Sequence, residues 1–419
     1  MNFSNENSYA AEADAKDPLR HFRKKFFIPK QADGSDVIYL AGNSLGLQPQ
    51  TVREYLEQEL KDWAEFAVEG HTKAKNPWLP YHEFLTSQTA KIIGAKNEEV
   101  VNMNSLTTNL HLLFVSFYRP EKNKHKILIE SNSFPSDYYA VESQIKYHGY
   151  DVAESLIEIK PREGEDIVRT EDIEELIERE GDEIAVIWMA GVNYYSGQAF
   201  EMGKIVKAGH KKNCIVGFDL AHAAGNIELK LHEWNADFAV WCNYKYMNGG
   251  PGAIGGAFVN ERHLNDRSIP KFLGWWGHDK KSRFLMDHKY IPIPTVESWQ
   301  LSNPPILQLA SLKASLDIFE EAGMSALRKK SEMLTSYMEY LIKGEINNGI
   351  QIITPAEKNE RGCQLSLRIA GNGKEKFNRL LDKGVICDWR EPDVIRAAPV
   401  PLYNSFGDVK RFVGILSEG

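Results

Sequence analysis

CIVGFDLAHAAGN (214–226) and DFAVWCNYKYMNGGPG (237–252) repeat one pattern, a short apolar run that ends abruptly in polar residues. Runs this short, apolar throughout rather than at alternate positions, read as strands buried on both faces, the kind found in parallel sheets covered by helices. KILIE (126–130) and EIAVIWM (183–189) repeat the pattern upstream, and the stretch from Phe200 to Lys212 supplies a helix crossing between two such strands. The chain therefore reads as α/β, with a large domain built on a mostly parallel sheet. In open sheets of this kind the functional groups gather just past the carboxyl ends of the strands. Asp219 and, three residues on, His222 stand past one run, while Tyr244 and Lys245 stand past the next, ahead of a glycine-rich segment.

Upstream, VNMNSLTTNLHLLFVSF (101–117) sets Ser105, Thr107 and Thr108 before an apolar helical run. A helix N-terminus there offers free N–H groups and a favourable dipole to an anion, and the same residues serve equally as plain caps. Closer to the N-terminus, Val52, Leu56, Leu60 and Trp63 recur at helical spacing behind Pro49, which predicts an amphipathic helix. Downstream, the turn SNPP (302–305) gives way to a long helical stretch over 307–342. IQIIT (350–354), QLSLRI (364–369) and VICDW (385–389) then read as strands, with a helix at 374–384, forming a smaller α+β unit. The expected organisation is an N-terminal arm and helix associated with the small domain over 1–65, a large cofactor-binding domain over 66–308, and a C-terminal small domain over 309–419.

The 419 residues are 42% hydrophobic and 26% charged, the balance of a soluble globular protein. With 58 acidic against 50 basic residues the formal charge is −8, which disfavours nucleic acid and anionic membranes as partners. No run approaches membrane-spanning length, and the N-terminus lacks the basic start and apolar stretch of a secretory signal, so a cytoplasmic protein is expected. Cys214, Cys242, Cys363 and Cys387 are widely spaced and read as buried or half-buried free thiols. Neither they nor the histidines show a metal-ligand spacing, and no metal is expected.

Three features combine into one chemistry. Lys245 lies where a lysine amine can be partly desolvated, as Schiff-base chemistry requires. Asp219 could protonate a pyridine nitrogen, and the helix that follows Ser105 could take a phosphate. Together they describe a pyridoxal 5′-phosphate site, which none of them does alone. Read singly, Asp219 is a helix cap, His222 a packing histidine and Lys245 a surface lysine.

YLAGNSLG (39–46), MNSLTTNLH (103–111), FPSDYYAVESQ (134–144), GFDLAHAAGN (217–226), NYKYMNGGPG (243–252), GWWGH (274–278), SNPP (302–305) and IRAAPVPLYNSF (395–406) resemble the motifs of the kynureninase family, in that family's order and over nearly the whole chain. The resemblance implies an aspartate-aminotransferase-like fold and a homodimer with composite active sites. It also implies hydrolytic cleavage of the Cβ–Cγ bond of L-kynurenine or 3-hydroxy-L-kynurenine, giving anthranilate or 3-hydroxyanthranilate and L-alanine, in tryptophan catabolism or pyridine nucleotide biosynthesis. By the same resemblance Lys245 holds the cofactor and Tyr244 touches its phosphate and is a candidate proton donor. Leu106 and Thr107 contact the phosphate region, Phe134 stacks on the ring, and Pro135, Ser136 and Asp137 lie in the same wall. Asp219 pairs with the pyridinium nitrogen, His222 lies close by, and Trp275 and Asn303 reach in from the partner subunit. Arg396 holds the substrate α-carboxylate, a task suited to a bidentate guanidinium, or serves as a structural salt bridge. Ser44, His71 and Asn303 complete the expected substrate set, and His71, Ser302 and Asn303 together resemble the branch that favours 3-hydroxykynurenine.

The chain departs from the pattern at Ala190, where a hydroxyl or acidic group is expected, and at Gln300, where some relatives have arginine. A cysteine desulfurase or aminotransferase on the same fold is the nearest alternative, and a non-catalytic relative the next. A desulfurase needs a nucleophilic cysteine in a mobile loop, which none of the four provides, and a non-catalytic relative would be marked by loss of Lys245.

Overall fold

Among the described residues, apolar runs bounded by polar turns give thirteen short strands: β1 (Ile38–Tyr39), β2 (Val100–Asn102), β3 (Lys126–Glu130), β4 (Leu156–Ile159), β5 (Ile184–Ala190), β6 (Ile215–Asp219), β7 (Phe238–Cys242), β8 (Gly255–Val259), β9 (Ile350–Ile352), β10 (Leu365–Ile369), β11 (Val385–Ile386), β12 (Asp388–Arg390) and β13 (Val394–Ala397). They are seen in a computed structural model that describes residues 3–131, 133–346 and 349–418. The large sheet runs β2-β8-β7-β6-β5-β3-β4. Strands β3 to β7 are mutually parallel, and β8 lies antiparallel between β7 and β2.

Alternate residues of each central strand enter opposite cores. Leu128, Ile187, Met189 and Phe218 pack on one side, whereas Ile127, Ile129, Val186 and Trp188 pack on the other. This two-sided burial is the physical reason those runs are apolar at every position. The chain passes from β3 outward to β4 and then returns to β5 on the other side of β3, so the strand order reverses between β3 and β5. Ligand crevices open at such reversals, beyond the carboxyl ends of the strands. Strand β8 is hidden in the glycine-rich segment after Lys245; a Cβ at Gly256 would lie 2.2 Å from the Trp241 indole, so the strand needs glycine to pack there.

The smaller unit is the antiparallel sheet β12-β13-β10-β9, and its core joins Leu365, Leu367 and Ile395 to Leu334, Met338, Leu341 and Phe412. Ala10, Ile38 and Leu40 from the N-terminal segment enter this same core, and β1 pairs in parallel with β11.

The sequence expectation and the structure differ in three places. The helical stretch over 307–342 is two helices, Ile306–Ala322 and Met324–Glu345, broken at Gly323 with φ 74°, a conformation that favours glycine. The first packs on the helix Val52–Phe66 and the second on the helix Phe406–Ser417, and position 309 falls within the first. VICDW is not one strand but β11 and β12. In the helix Val52–Phe66 the spacing located the helix but not its inward face: Leu60 and Trp63 are exposed, while Glu59 and Asp62 are buried. Those carboxylates turn inward because Glu59 accepts from Asn76 Nδ2 and Trp78 Nε1, both at 2.9 Å, and Asp62 accepts the Lys75 N–H at 3.0 Å. The four cysteines are free and buried, and no described helix is long and apolar enough to cross a membrane.

Candidate active site

The ends of β3, β5 and β6 place Glu130, Ala190 and Asp219 side by side at the strand reversal. The β5–β6 register pairs Ala190 with Asp219, and the Ala190 N–H donates to the Glu130 carboxylate at 3.2 Å. Asp219 Oδ1 accepts the Ala221 N–H at 2.6 Å, so the turn after β6 holds the carboxylate while it lines the pocket. Lys245, half-buried beyond β7, sets Nζ 2.9 Å from His222 Nε2. The same Nζ lies 5.8 Å from the centre of the Phe134 ring and 5.9 Å from that of Tyr244. Burial, and then the charges of Lys245, Arg396 and Arg390, holds the His222 pKa well below its ordinary value. Its imidazole is therefore neutral, and it shares a hydrogen bond with Lys245 Nζ.

Two helices begin at this pocket, Leu106–Phe117 and Pro135–Tyr147. Neither of the flanking residues, Ser105 and Phe134, caps its helix through a side chain; in the second helix Pro135 has no N–H and the Asp137 N–H donates to the Phe134 carbonyl at 2.9 Å, so Ser136 carries the first-turn N–H on that side. Thr107 Oγ1 and Ser136 Oγ approach to 2.9 Å and join the two termini, whereas Ser105 and Thr108 pair with each other on the exposed side. Two helix N-termini and two hydroxyls at one pocket suit a phosphate.

The opposite wall is acidic. Asp137 is buried and its Oδ1 has no partner. Burial first, and then the neighbouring Asp219 charge, pushes its carboxyl well above the usual range. Burial likewise lifts Glu130 to about 8, against the opposing Ala190 N–H. Burial, with Cys242 and Asp219 adding, raises the Tyr244 phenol, so it remains an O–H donor across the ordinary pH range. A lysine amine, an unpartnered buried carboxyl oxygen and two helix N-termini without side-chain caps, all lining one pocket, are a donor set that pyridoxal phosphate fits.

On the substrate side, Arg396 of β13 is almost wholly buried opposite Asp388 of β12. Its Nη2 donates to Asp388 Oδ2 at 2.6 Å, Nε to Oδ1 at 3.3 Å, and Nη1 to the Tyr194 carbonyl at 2.7 Å. Ser44 Oγ donates to the same Asp388 Oδ2 at 2.9 Å. Burial lowers the Arg396 pKa and Asp388 opposes the shift. The Tyr194 ring meets the Phe134 ring edge-on at 5.3 Å, linking this cluster to the cofactor wall.

One pocket thus unites Leu106, Thr107, Phe134, Ser136, Asp137, Asp219, His222, Tyr244 and Lys245, and Pro135 opens the helix between two of them. Ser44 and Arg396 lie outside this lining, at the Asp388 cluster that meets it through Tyr194, and Trp275, Asn303 and His71 do not line it within one chain. Trp275 is 48% exposed and donates Nε1 to the Arg283 carbonyl, Asn303 is exposed, and His71 packs edge-on against Trp78. Sequence reasoning missed Glu130, Tyr194, Asp388 and Arg390. Glu130 was visible as the charge that ends KILIE, but only the strand order makes it a neighbour of Asp219. Gln300 is buried, with both polar side-chain atoms unpartnered. Among the described residues His82, Glu83 and Glu297 could hold a cation, yet Lys280 Nζ already lies 2.9 Å from both glutamates.

Residues 327–416 match the family described as the kynureninase C-terminal domain. Over 98% of its length the chain is 57% identical to the kynureninase of Koribacter versatilis (strain Ellin345), covering 97% of that protein. It is 50% identical to the kynureninase of Homo sapiens, with 98% and 92% covered. Among solved structures, the cysteine desulfurase of Thermococcus onnurineus NA1 superposes with a TM-score of 0.76 at 19% identity, over 91% of this chain and 94% of that one. A C-DES variant carrying glycine linked to its PLP cofactor superposes with a TM-score of 0.77 at 14% identity, over 94% and 99%. At these identities the likeness to solved structures speaks for the aspartate-aminotransferase-like fold alone.

Proposed function

The chain belongs to the kynureninase family, and on that premise we propose that Lys245, Tyr244, Asp219 and Arg396 carry its reaction in the roles set out below. The enzyme is a pyridoxal-phosphate-dependent hydrolase that cleaves the Cβ–Cγ bond of L-kynurenine or 3-hydroxy-L-kynurenine to anthranilate or 3-hydroxyanthranilate and L-alanine. The observation that carries the residue assignment is Lys245 Nζ, set 2.9 Å from a neutral His222 and facing Phe134 inside a pocket walled by Asp137 and Asp219.

When bound, pyridoxal phosphate supplies an electron sink for the carbanion formed beside the substrate amine. Lys245 would hold it through Nζ, with the Leu106 and Thr107 N–H groups and the Ser136 hydroxyl available to the phosphate and Asp219 to the ring nitrogen. His222 accepts the lysine's hydrogen bond and so aims Nζ at the substrate Cα, whose proton the released amine removes. Arg396 fixes the α-carboxylate. Ser44 reaches the same cluster through Asp388, and in the proposed homodimer His71 and Asn303, which do not line the pocket of their own chain, would meet the aromatic end of the substrate. After water adds to the γ-carbonyl and the Cβ–Cγ bond breaks, Tyr244, kept as a phenol by burial, donates its proton at Cβ. With the cofactor bound, Lys245 Nζ would also serve in the release of L-alanine.

A homodimer in which Trp275 and Asn303 complete the partner's site belongs to the same proposal. It is supported by the exposure of both residues beside an exposed apolar segment that includes Phe272, Leu273, Phe284, Leu285 and Met286, since surface of this kind marks association. The test is turnover by wild type and Lys245→Ala. Wild type should release anthranilate and alanine in equal amounts, while the variant, folded by circular dichroism, should release neither. Sulfide from cysteine in place of anthranilate from kynurenine would favour the desulfurase alternative instead.

A further inference from the structure

The small sheet brings two guanidiniums to one carboxylate. In the β12–β13 pair Asp388 lies opposite Arg396 and Arg390 opposite Val394. Residues two apart on a strand share a face, so Asp388, Arg390 and Arg396 form one cluster at the sheet edge. Asp388 Oδ2 accepts three donors: Arg396 Nη2 at 2.6 Å, Ser44 Oγ at 2.9 Å and Arg390 Nη2 at 3.3 Å. The burial is graded, with 1% of the Arg396 side chain exposed, 11% of Asp388 and 39% of Arg390. Arg390 Nε is buried without a partner, while the rest of the guanidinium reaches solvent. Two positive charges and one negative leave the cluster one positive charge in excess, the complement of a single carboxylate. Both guanidiniums also act on His222, so their field reaches the reaction pocket.

We propose that Arg390 is a second residue of substrate-carboxylate recognition, and that Asp388 is the positioning residue that holds Arg390 and Arg396 together for it. Without Arg390 the cluster would be the neutral pair Asp388–Arg396, and the incoming α-carboxylate would meet a guanidinium already balanced by a carboxylate. With Arg390 present, Asp388 orients the buried guanidinium through two of its nitrogens and the excess charge stays at the solvent-facing side of the cluster. The inference rests on the reading of Arg396 as the α-carboxylate residue.

The test compares L-kynurenine with its α-carboxamide in holoenzyme of wild type, Arg390→Gln and Arg390→Lys. Arg390→Gln should raise KM for the acid about tenfold, the effect of one partly screened charge nearby, with little of the loss in kcat. It should leave kcat/KM for the amide near the wild-type value, and Arg390→Lys should recover most of the acid's KM. Added salt should raise the wild-type KM for the acid more than that of Arg390→Gln. Equal losses on acid and amide would make Arg390 a purely structural partner of Asp388 and overturn the inference. So would an Arg390→Gln enzyme that keeps the full wild-type preference for the acid. A wild-type enzyme that treats acid and amide alike would instead remove the α-carboxylate reading of Arg396, and this inference with it.

Discussion

Arg396→Gln separates recognition from architecture, because the structure gives the guanidinium both tasks. In the free chain it makes two contacts to Asp388, at 2.6 and 3.3 Å, and one to the Tyr194 carbonyl at 2.7 Å. Stranding a buried charge by removing its partner costs about 3–5 kcal/mol. Asp388 is not fully stranded, since Ser44 Oγ and Arg390 remain on Oδ2, so the loss of stability should be nearer 2 kcal/mol. The loss of substrate binding is larger relative to wild type. A desolvated bidentate contact to a carboxylate contributes about 2–5 kcal/mol, which predicts a fall in kcat/KM of roughly 30- to 4,000-fold. Continuous fluorescence of released anthranilate measures the second quantity, and a thermal melt of the same preparation the first. Arg396→Lys should keep part of the stability but little of the activity, because an ammonium cannot reproduce the planar fork. A variant that melts lower yet keeps kcat/KM within about threefold of wild type would show that Arg396 is only a structural salt bridge.

Three further outcomes are expected. Mixed Lys245→Ala and Asn303→Ala chains should regain activity through one intact site per heterodimer, and no recovery despite confirmed subunit exchange would count against shared sites. The enzyme should show a higher kcat/KM for 3-hydroxykynurenine than for kynurenine, since a site built to bond a hydroxyl discriminates against an analogue lacking one; replacing His71 and Asn303 together by apolar residues should shift preference toward kynurenine, and a wild type that favours kynurenine would sink this assignment. The Glu130 carboxyl is raised to about 8, so the folded chain binds its proton more tightly than the unfolded chain does. Its contribution to stability is full below the ordinary carboxyl pKa and is lost as pH rises through about 8. Glu130→Gln should therefore flatten the alkaline decline of apoprotein stability by a few kcal/mol between about pH 6 and about pH 9 in urea titrations, and an undiminished decline would place the proton elsewhere.

The sheet was legible wherever burial on both faces forced apolarity at every position, as in β3, β5, β6 and β7. Strand β8 was not, because packing against Trp241 selects glycine, and glycine reads as a turn. The break at Gly323 was masked by strong helix formers on both sides, and only the positive φ reveals it. The inward turn of Glu59 and Asp62 depends on donors from residues 75–78, which no periodicity contains. At the site, Lys245, Asp219 and the helix after Ser105 were readable because strand ends and helix starts carry local signals. Glu130, Asp388 and Arg390 were not, because their meaning comes from strand order and cross-strand register, which appear only once β3 lies beside β5 and β12 beside β13.

Borohydride reduction of the holoenzyme, followed by proteolysis and mass mapping, tests the central claim most directly. A single reduced pyridoxyl label is expected on Lys245, in the peptide spanning NYKYMNGGPG (243–252), and none in the Lys245→Ala chain. A label on any other lysine of the wild-type chain would contradict it.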